Sequence, residues 1–155
     1  MSDGADGNGA PGAEEHSGVV QDLDAAECLR LVAGQQIGRV AYNGRSGPMV
    51  LPVNYRLFED SIVFRTAQGS AMDEDLTTGI ANAEYLIAFE IDELDPDRQE
   101  GWSVLIHGSA HHVMDEDERS SVAQAGVTPW AGGVRDLYMR IRPTHIGGRR
   151  ITHPG

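Results

Sequence analysis

From Gln36 onward apolar residues recur at every second position, and that period decides what this chain can fold into. Met49, Leu51, Val53, Tyr55 and Leu57 alternate with Val50, Pro52, Asn54 and Arg56. Successive side chains of an extended chain point to opposite faces, so the stretch has one apolar face to bury. The same pattern predicts strands at Ile37–Tyr42, Ser61–Thr66, Tyr85–Ile91, Trp102–Val113 and Leu137–Arg142, with a last edge strand at His145–Ile151. Asn43-Gly44-Arg45-Ser46-Gly47 and Glu59-Asp60 have turn chemistry, while Glu93 to Gly101 reads as an acidic loop broken by Pro96. Three segments read as helices. The first starts at the N-cap Asp24, with Glu27 completing a capping box and Gly34 suited to a left-handed end. The second starts near Ser70 and runs toward Gly79, and the third is capped by Asp115 with Glu118 three residues on. Consecutive strands joined by turn-length links favour antiparallel pairing, and six or more favour closure. The expected fold is mainly β with accessory helices, a six- to seven-stranded antiparallel barrel.

The 155 residues, 16.7 kDa, fit one domain with a core of its own. Residues 1–18, a Gly/Asp/Ala/Pro mixture without apolar period, read as a disordered tail ahead of a domain at 19–155. There are 24 acidic residues against 12 basic ones, all of them arginine, for a net charge of −12. That sign repels phosphate backbones and anionic lipid, which argues against nucleic-acid and membrane-surface partners. No apolar run is long enough to span a bilayer, so a cytoplasmic protein is expected. The single Cys28 excludes an internal disulfide and a cysteine-based zinc site, and its helical spacing with Leu31 and Val32 makes it a core residue.

Few residues invite chemistry. His107 and His111 share a strand face but stand roughly 13 Å apart at 3.3 Å per residue, too far for one zinc ion, and His112 faces the other way. No metal is expected, and these histidines read as hydrogen-bonded or surface groups. Neither a Gly-x-Ser-x-Gly elbow nor a Walker loop is present. Asp73-Glu74-Asp75 reads as a solvated helix start. Arg65-Thr66-Ala67-Gln68-Gly69-Ser70 places a cation at a strand end before a Gly-Ser bend. Backbone N–H groups, a hydroxyl and the guanidinium would converge there on an anion such as phosphate. A surface arginine at a strand end fits the same residues equally well.

Taken in order, Pro52-Val53-Asn54-Tyr55, Ile62 to Thr66 with Gly69-Ser70, Ala88-Phe89-Glu90-Ile91-Asp92, Gly101-Trp102-Ser103 to Ala110, Pro129-Trp130-Ala131 and Arg140 to Pro143 resemble the pyridoxamine 5′-phosphate oxidase-like family. The resemblance runs from Leu23 to Ile151. It implies a split β-barrel, a homodimer with FMN at the interface, and a flavin redox reaction on a small substrate. It further implies that Arg65, Thr66 and Ser70 hold the FMN phosphate and that Gly69 lets the backbone approach closely. Val53, Asn54 and Tyr55 would line the isoalloxazine, with Trp102 and Ser103 beside it and Trp130 either reaching over from the second subunit or serving as plain core or dimer packing. Such a ring needs apolar walls and a few fixed polar groups. Two departures stand out. Ala71 occupies the place where family members commonly carry a lysine, and the chain lacks the C-terminal stretch with which true pyridoxamine 5′-phosphate oxidases hold substrate. Deazaflavin F420 is the alternative cofactor, less suited to a chain of this charge, although Arg140, Arg142, Arg149 and Arg150 offer a local patch. No catalytic acid or base is assigned. A flavin carrier without turnover and a flavin-free binding domain are the alternatives to an enzyme.

Overall fold

The computed structural model describes residues 17–76 and 85–153. Its elements are β1 (Val19–Leu23), α1 (Ala25–Ala33), β2 (Ile37–Gly44), β3 (Gly47–Phe58), β4 (Ser61–Thr66), α2 (Ala71–Asp75), β5 (Tyr85–Asp95), β6 (Glu100–His112), α3 (Glu116–Ala123) and β7 (Leu137–Thr152). All strand pairs are antiparallel, in the order β1-β7-β4-β3-β2-β5-β6, and an additional β6–β7 pairing joins the ends into a ring. β1 stays outside the ring as a flap on the far half of β7.

The alternation read from the sequence sets which side chains fill the ring. Val40 and Tyr42 from β2, Tyr55 from β3, Ile62 and Phe64 from β4, Phe89 and Ile91 from β5, and Val104 and Ile106 from β6 are buried in one cluster. α1 closes one end and contributes Cys28 and Val32, both with no exposed surface. Its cap is as expected: Asp24 Oδ1 accepts from Glu27 N at 2.8 Å. Gly34 is not left-handed, at φ −85°, because the helix ends in two tight i→i+3 bonds, Gly34 N to Leu31 O and Gln35 N to Val32 O.

Both hairpins around β3 use two-residue loops. Gly44 pairs with Gly47 across Arg45-Ser46, and Phe58 pairs with Ser61 across Glu59-Asp60. Glu59 and Asp60 both have positive φ, 49° and 60°, the handedness that matches strand twist in so short a loop. Ser61 Oγ then donates to Phe58 O at 2.6 Å and closes the turn.

Three segments differ from expectation. Val19–Leu23 is a strand, missed because its five residues carry no buried face (Val19 is 52% and Val20 58% exposed). The acidic loop shrinks to a short turn, since β5 and β6 pair as far as Asp95 and Glu100. Most consequentially, Leu137 to Thr152 is one strand with neighbours on both sides, not a strand followed by a separate edge strand. Continuity through Pro143 is possible because the register slips there. His107 faces His145 while Gly108 faces Pro143, leaving Thr144 as an added residue, its Oγ1 donating to His107 O. Before that bulge Met139 and Ile141 point inward; beyond it Ile146 packs on the core and Gly148 lies under Cys28. A Cβ on Gly148 would stand 2.8 Å from the Cys28 sulfur, so helix and strand meet this closely only through glycine.

Candidate functional site

At the end of β4 the bend is held by its own groups. Gly69 has φ 77°, a conformation that favours glycine, and its N–H donates to Asp73 Oδ2 at 2.8 Å. Ser70 is the N-cap of α2; its Oγ accepts from Asp73 N at 3.2 Å and lies 3.1 Å from Thr66 Oγ1. Ser70 N donates to Ala67 O. The other oxygen of Asp73 sits 2.9 Å from His112 Nε2 at the end of β6. The β2–β3 hairpin secures the far side of α2: Arg45 N donates to Asp75 Oδ1, Arg45 Nη2 to Glu74 O, and Tyr42 hydroxyl to Asp75 Oδ2. Of the segment from Ser70 to Gly79 predicted as helix, the part beyond Leu76 lies outside the described residues.

Thr66, Gly69 and Ser70 therefore come together as expected, but Arg65 does not join them. Adjacent strand residues face opposite ways. Thr66 is buried on the α2 side, whereas Arg65 lies on the outer face of β4 and stacks over the Tyr138 ring. There its Nε donates to Arg135 O at 2.7 Å and its Nη1 to Val127 O at 3.4 Å, so the guanidinium clasps the segment between α3 and β7. Under that segment Val63, Val113, Val122 and Val127 form a second, smaller core. Beside it opens a cavity of about 590 Å³ lined by Arg65, Glu116, Arg119, Asp136 and Tyr138.

The same segment carries Trp130 to β3 within one chain, where Trp130 N donates to Asn54 Oδ1 at 2.8 Å. The indole is left 70% exposed. Asn54 lies on the outer face of β3, while Val53 and Tyr55 point into the ring. Tyr55 is 1% exposed, sets its ring edge-on to Phe89, and donates its hydroxyl to Val32 O at 2.5 Å. Burial pushes the phenol above its ordinary range, so it stays neutral. Within this chain it is a core residue with no face to offer a ligand.

Trp102 and Ser103 belong to the opposite end of β6. Ten residues separate Trp102 from His112, the residue that meets Asp73, which is roughly 30 Å along a strand. Trp102 is 7% exposed and borders a cavity of about 500 Å³ with Glu93, Arg98 and Arg150. Ser103 faces outward beside Leu105, His107, His145 and Arg149, on a cavity of about 720 Å³. A neighbouring hollow of about 490 Å³ continues over Ala41, Val50, Leu86, Ala88 and His107. Together these leave the outer face of β2, β3, β5 and β6 open, with apolar residues standing on it: Val50 at 62%, Leu86 at 83% and Leu105 at 43% exposure.

The charged groups are mostly paired. Glu118 of α3 meets His111 Nε2 at 2.8 Å and Arg140 Nη1 at 3.2 Å; although burial works against it, these partners hold its carboxyl below the usual range. Arg142 also approaches Glu118, and Arg150 reaches Glu27, so three of the four arginines of β7 lie beside a carboxylate. On the open face Glu90 and Asp92 share Arg39, at 3.2 and 3.1 Å. Burial and the neighbouring Asp92 push the Glu90 carboxyl up to about 7. Among the described residues no three His, Cys, Asp or Glu side chains gather as a metal site would require. Nor is any helix among them long and apolar enough to cross a membrane.

A phosphate dianion does not fit the Gly-Ser bend as it stands. The Gly69 donor already meets a carboxylate, the two hydroxyls meet each other, the guanidinium is turned away, and Ala71 supplies no charge. The partnership of Asp73 with His112 is the feature that sequence reading missed. Only its residue types hinted at it, because 39 positions separate the two.

A closed antiparallel ring with open cavities on its outer face defines a small antiparallel β protein. The sequence pattern of the pyridoxamine 5′-phosphate oxidase family matches residues 24–150, and the chain belongs to that family. An uncharacterised protein of Mycobacterium tuberculosis is 32% identical over 132 residues, 85% of this chain and 86% of its own. Among solved structures, a Corynebacterium glutamicum protein named for pyridoxamine 5′-phosphate oxidase superposes with a TM-score of 0.70 at 26% identity, over 88% of this chain and 96% of its own. The FAD-binding protein of Mycobacterium smegmatis follows at 0.69 and 28% identity, over 84% and 98%.

Proposed function

We propose that this chain is a cytoplasmic, homodimeric flavoprotein oxidoreductase that takes FMN and acts on a small substrate. What carries the reading is the family match across 24–150, which spans every residue assigned above to the cofactor. The similarity to a mycobacterial FAD-binding protein over nearly that protein's whole length supports a flavin in particular. A second copy is supported by the separation of the two residue sets. The Gly-Ser bend meets β6 at His112, ten residues along the strand from Trp102, and the open face of Val50, Leu86 and Leu105 gives a partner apolar area to cover.

In such a dimer Ser103 and Asn54 contribute fixed polar groups, and the indoles of Trp102 and Trp130 contribute apolar wall that excludes water from the ring. The flavin, when bound, supplies the redox chemistry; the chain orients and shields it. The acidic residues and missing lysine favour FMN over deazaflavin F420, whose tail adds negative charge.

The first test is the absorption spectrum of freshly purified protein together with sedimentation of the same sample. A yellow dimer bleached by a nicotinamide donor supports the enzyme. A yellow protein that no donor reduces at useful rates would be a carrier, and a colourless one after expression with excess riboflavin would sink the flavin reading.

A further inference from the structure

We propose that Asp73 is a specificity-determining residue that stands in for a ligand phosphate, so that the protein binds flavins with little regard for the 5′-phosphate. This rests on the flavin reading above and deepens it by naming which part of the nucleotide is recognised.

The carboxylate of Asp73 has a fixed partner on each oxygen. Oδ2 accepts from the N–H of Gly69 at 2.8 Å, and Oδ1 lies 2.9 Å from Nε2 of His112. The side chains of Asp73 and His112 are 15% and 17% exposed, so the pair is largely shielded from water. Shielding strengthens charged hydrogen bonds and makes their exchange for another anion unfavourable. A phosphate entering the bend would have to displace an anion that is covalently part of the chain. It would also bring roughly 1.5 to 2 further negative charges beside Asp73, Glu74 and Asp75. The cation that would offset this charge, Arg65, is committed to Val127 O and Arg135 O on the other side of β4.

Placement of Asp73 follows from structure on three sides. Ser70 caps the turn and holds Asp73 N, His112 ends β6 beside it, and the Arg45–Asp75 contact fixes the helix against the β2–β3 hairpin. The residue is therefore held against the bend rather than left on a solvated helix face.

The test compares riboflavin with FMN, two ligands sharing the ring and differing by the phosphate. Dissociation constants come from flavin fluorescence quenching for the wild-type chain, Asp73→Ala and Glu74→Gln. In the wild type the two constants should agree within about threefold. In Asp73→Ala the preference for FMN should rise about tenfold or more, the range of one charged hydrogen bond recovered, while riboflavin affinity holds. Glu74→Gln removes the same charge from the same helix without touching Gly69, so its ratio should stay near wild type. Should Asp73→Ala fail to fold by its melting profile, Asp73→Asn must move the ratio in the same direction. A wild-type preference for FMN of tenfold or more would overturn the proposal, as would an Asp73→Ala ratio unchanged while flavin still binds. Equal gains in Asp73→Ala and Glu74→Gln would also overturn it, by assigning the effect to net charge. If neither ligand binds any variant, the flavin reading itself falls and the proposal with it, a failure distinct from the others because no ratio exists.

Discussion

The outward faces of β4 and of β2, β3, β5 and β6 belong to one ring and meet opposite fates. Val63 on β4 is sealed beneath α3 and the segment leading to β7, with no exposed surface, whereas Val50 on β3 is 62% exposed. The two residues are chemically identical and both point away from the main core. Their difference lies in what the rest of the chain does: some twenty-five residues between β6 and β7 fold back over one side and leave the other bare. Outward apolar residues on strands thus have two meanings. They mark a second layer supplied by the same chain, or a surface that waits for something else.

The largest expected effect that would break this comparison comes from placing a charge on each face. Val63→Asp buries an unpaired carboxylate and should cost about 3–5 kcal/mol, enough to unfold a domain of ordinary stability. Val50→Asp should leave the melting temperature of the isolated chain nearly unchanged and weaken self-association, read by sedimentation across a concentration series. Equal losses of stability in the two variants would show that the open face is not open. A smaller effect concerns the clasp. Arg65→Ala removes two bonds from a charged donor to carbonyls and should cost about 1.5–3 kcal/mol, with faster proteolytic cutting between α3 and β7. Riboflavin binding should survive that change, since the guanidinium faces away from the bend.

The smallest effect sharpens the open side. Glu90 titrates near 7 in the folded chain against an ordinary value of 4.5, so folding favours its protonated form. Its contribution is fully present below pH 4.5 and is lost as pH rises through about 7. Glu90→Gln should therefore match wild type in denaturant midpoint near pH 4 and exceed it slightly at pH 8. A wild-type advantage at pH 8 would mean that the Arg39 contact outweighs the cost of burying the charge.

Much of this architecture was legible from residue order because period-two patterning and turn chemistry are local. The Asp24 cap, the Glu59-Asp60 turn, the inward set of β3 and the Ser70 helix start all follow from neighbours within a few positions. What escaped was set at long range or had no pattern to show. β1 has four exposed residues out of five and is held chiefly by pairing with β7. The continuity of β7 depends on a bulge that Pro143 conceals in the sequence. At the candidate site, Thr66, Gly69 and Ser70 were legible as a group because the bend is local. Arg65 was misplaced with them because the reading followed distance along the chain and overlooked alternation across the strand. Tyr55 carries a motif resemblance, yet its position in the ring interior depends on Phe89 and Val32, which sequence spacing does not reveal.

The added residue at Thr144 has a consequence of its own. It works as a half-period phase shift, letting one continuous ribbon serve two compartments with opposite parity. Were the ladder regular through Thr144, the odd-numbered positions of β7 beyond Pro143 would stay inward, turning His145 and Arg149 toward the place that Ile146 and Gly148 fill, and Cys28 would meet a side chain where it now meets none. Deleting Thr144 would straighten the ribbon and still leave Ile146 and Gly148 inward, whereas a residue added or removed elsewhere beyond Pro143 would turn the end of β7 inside out.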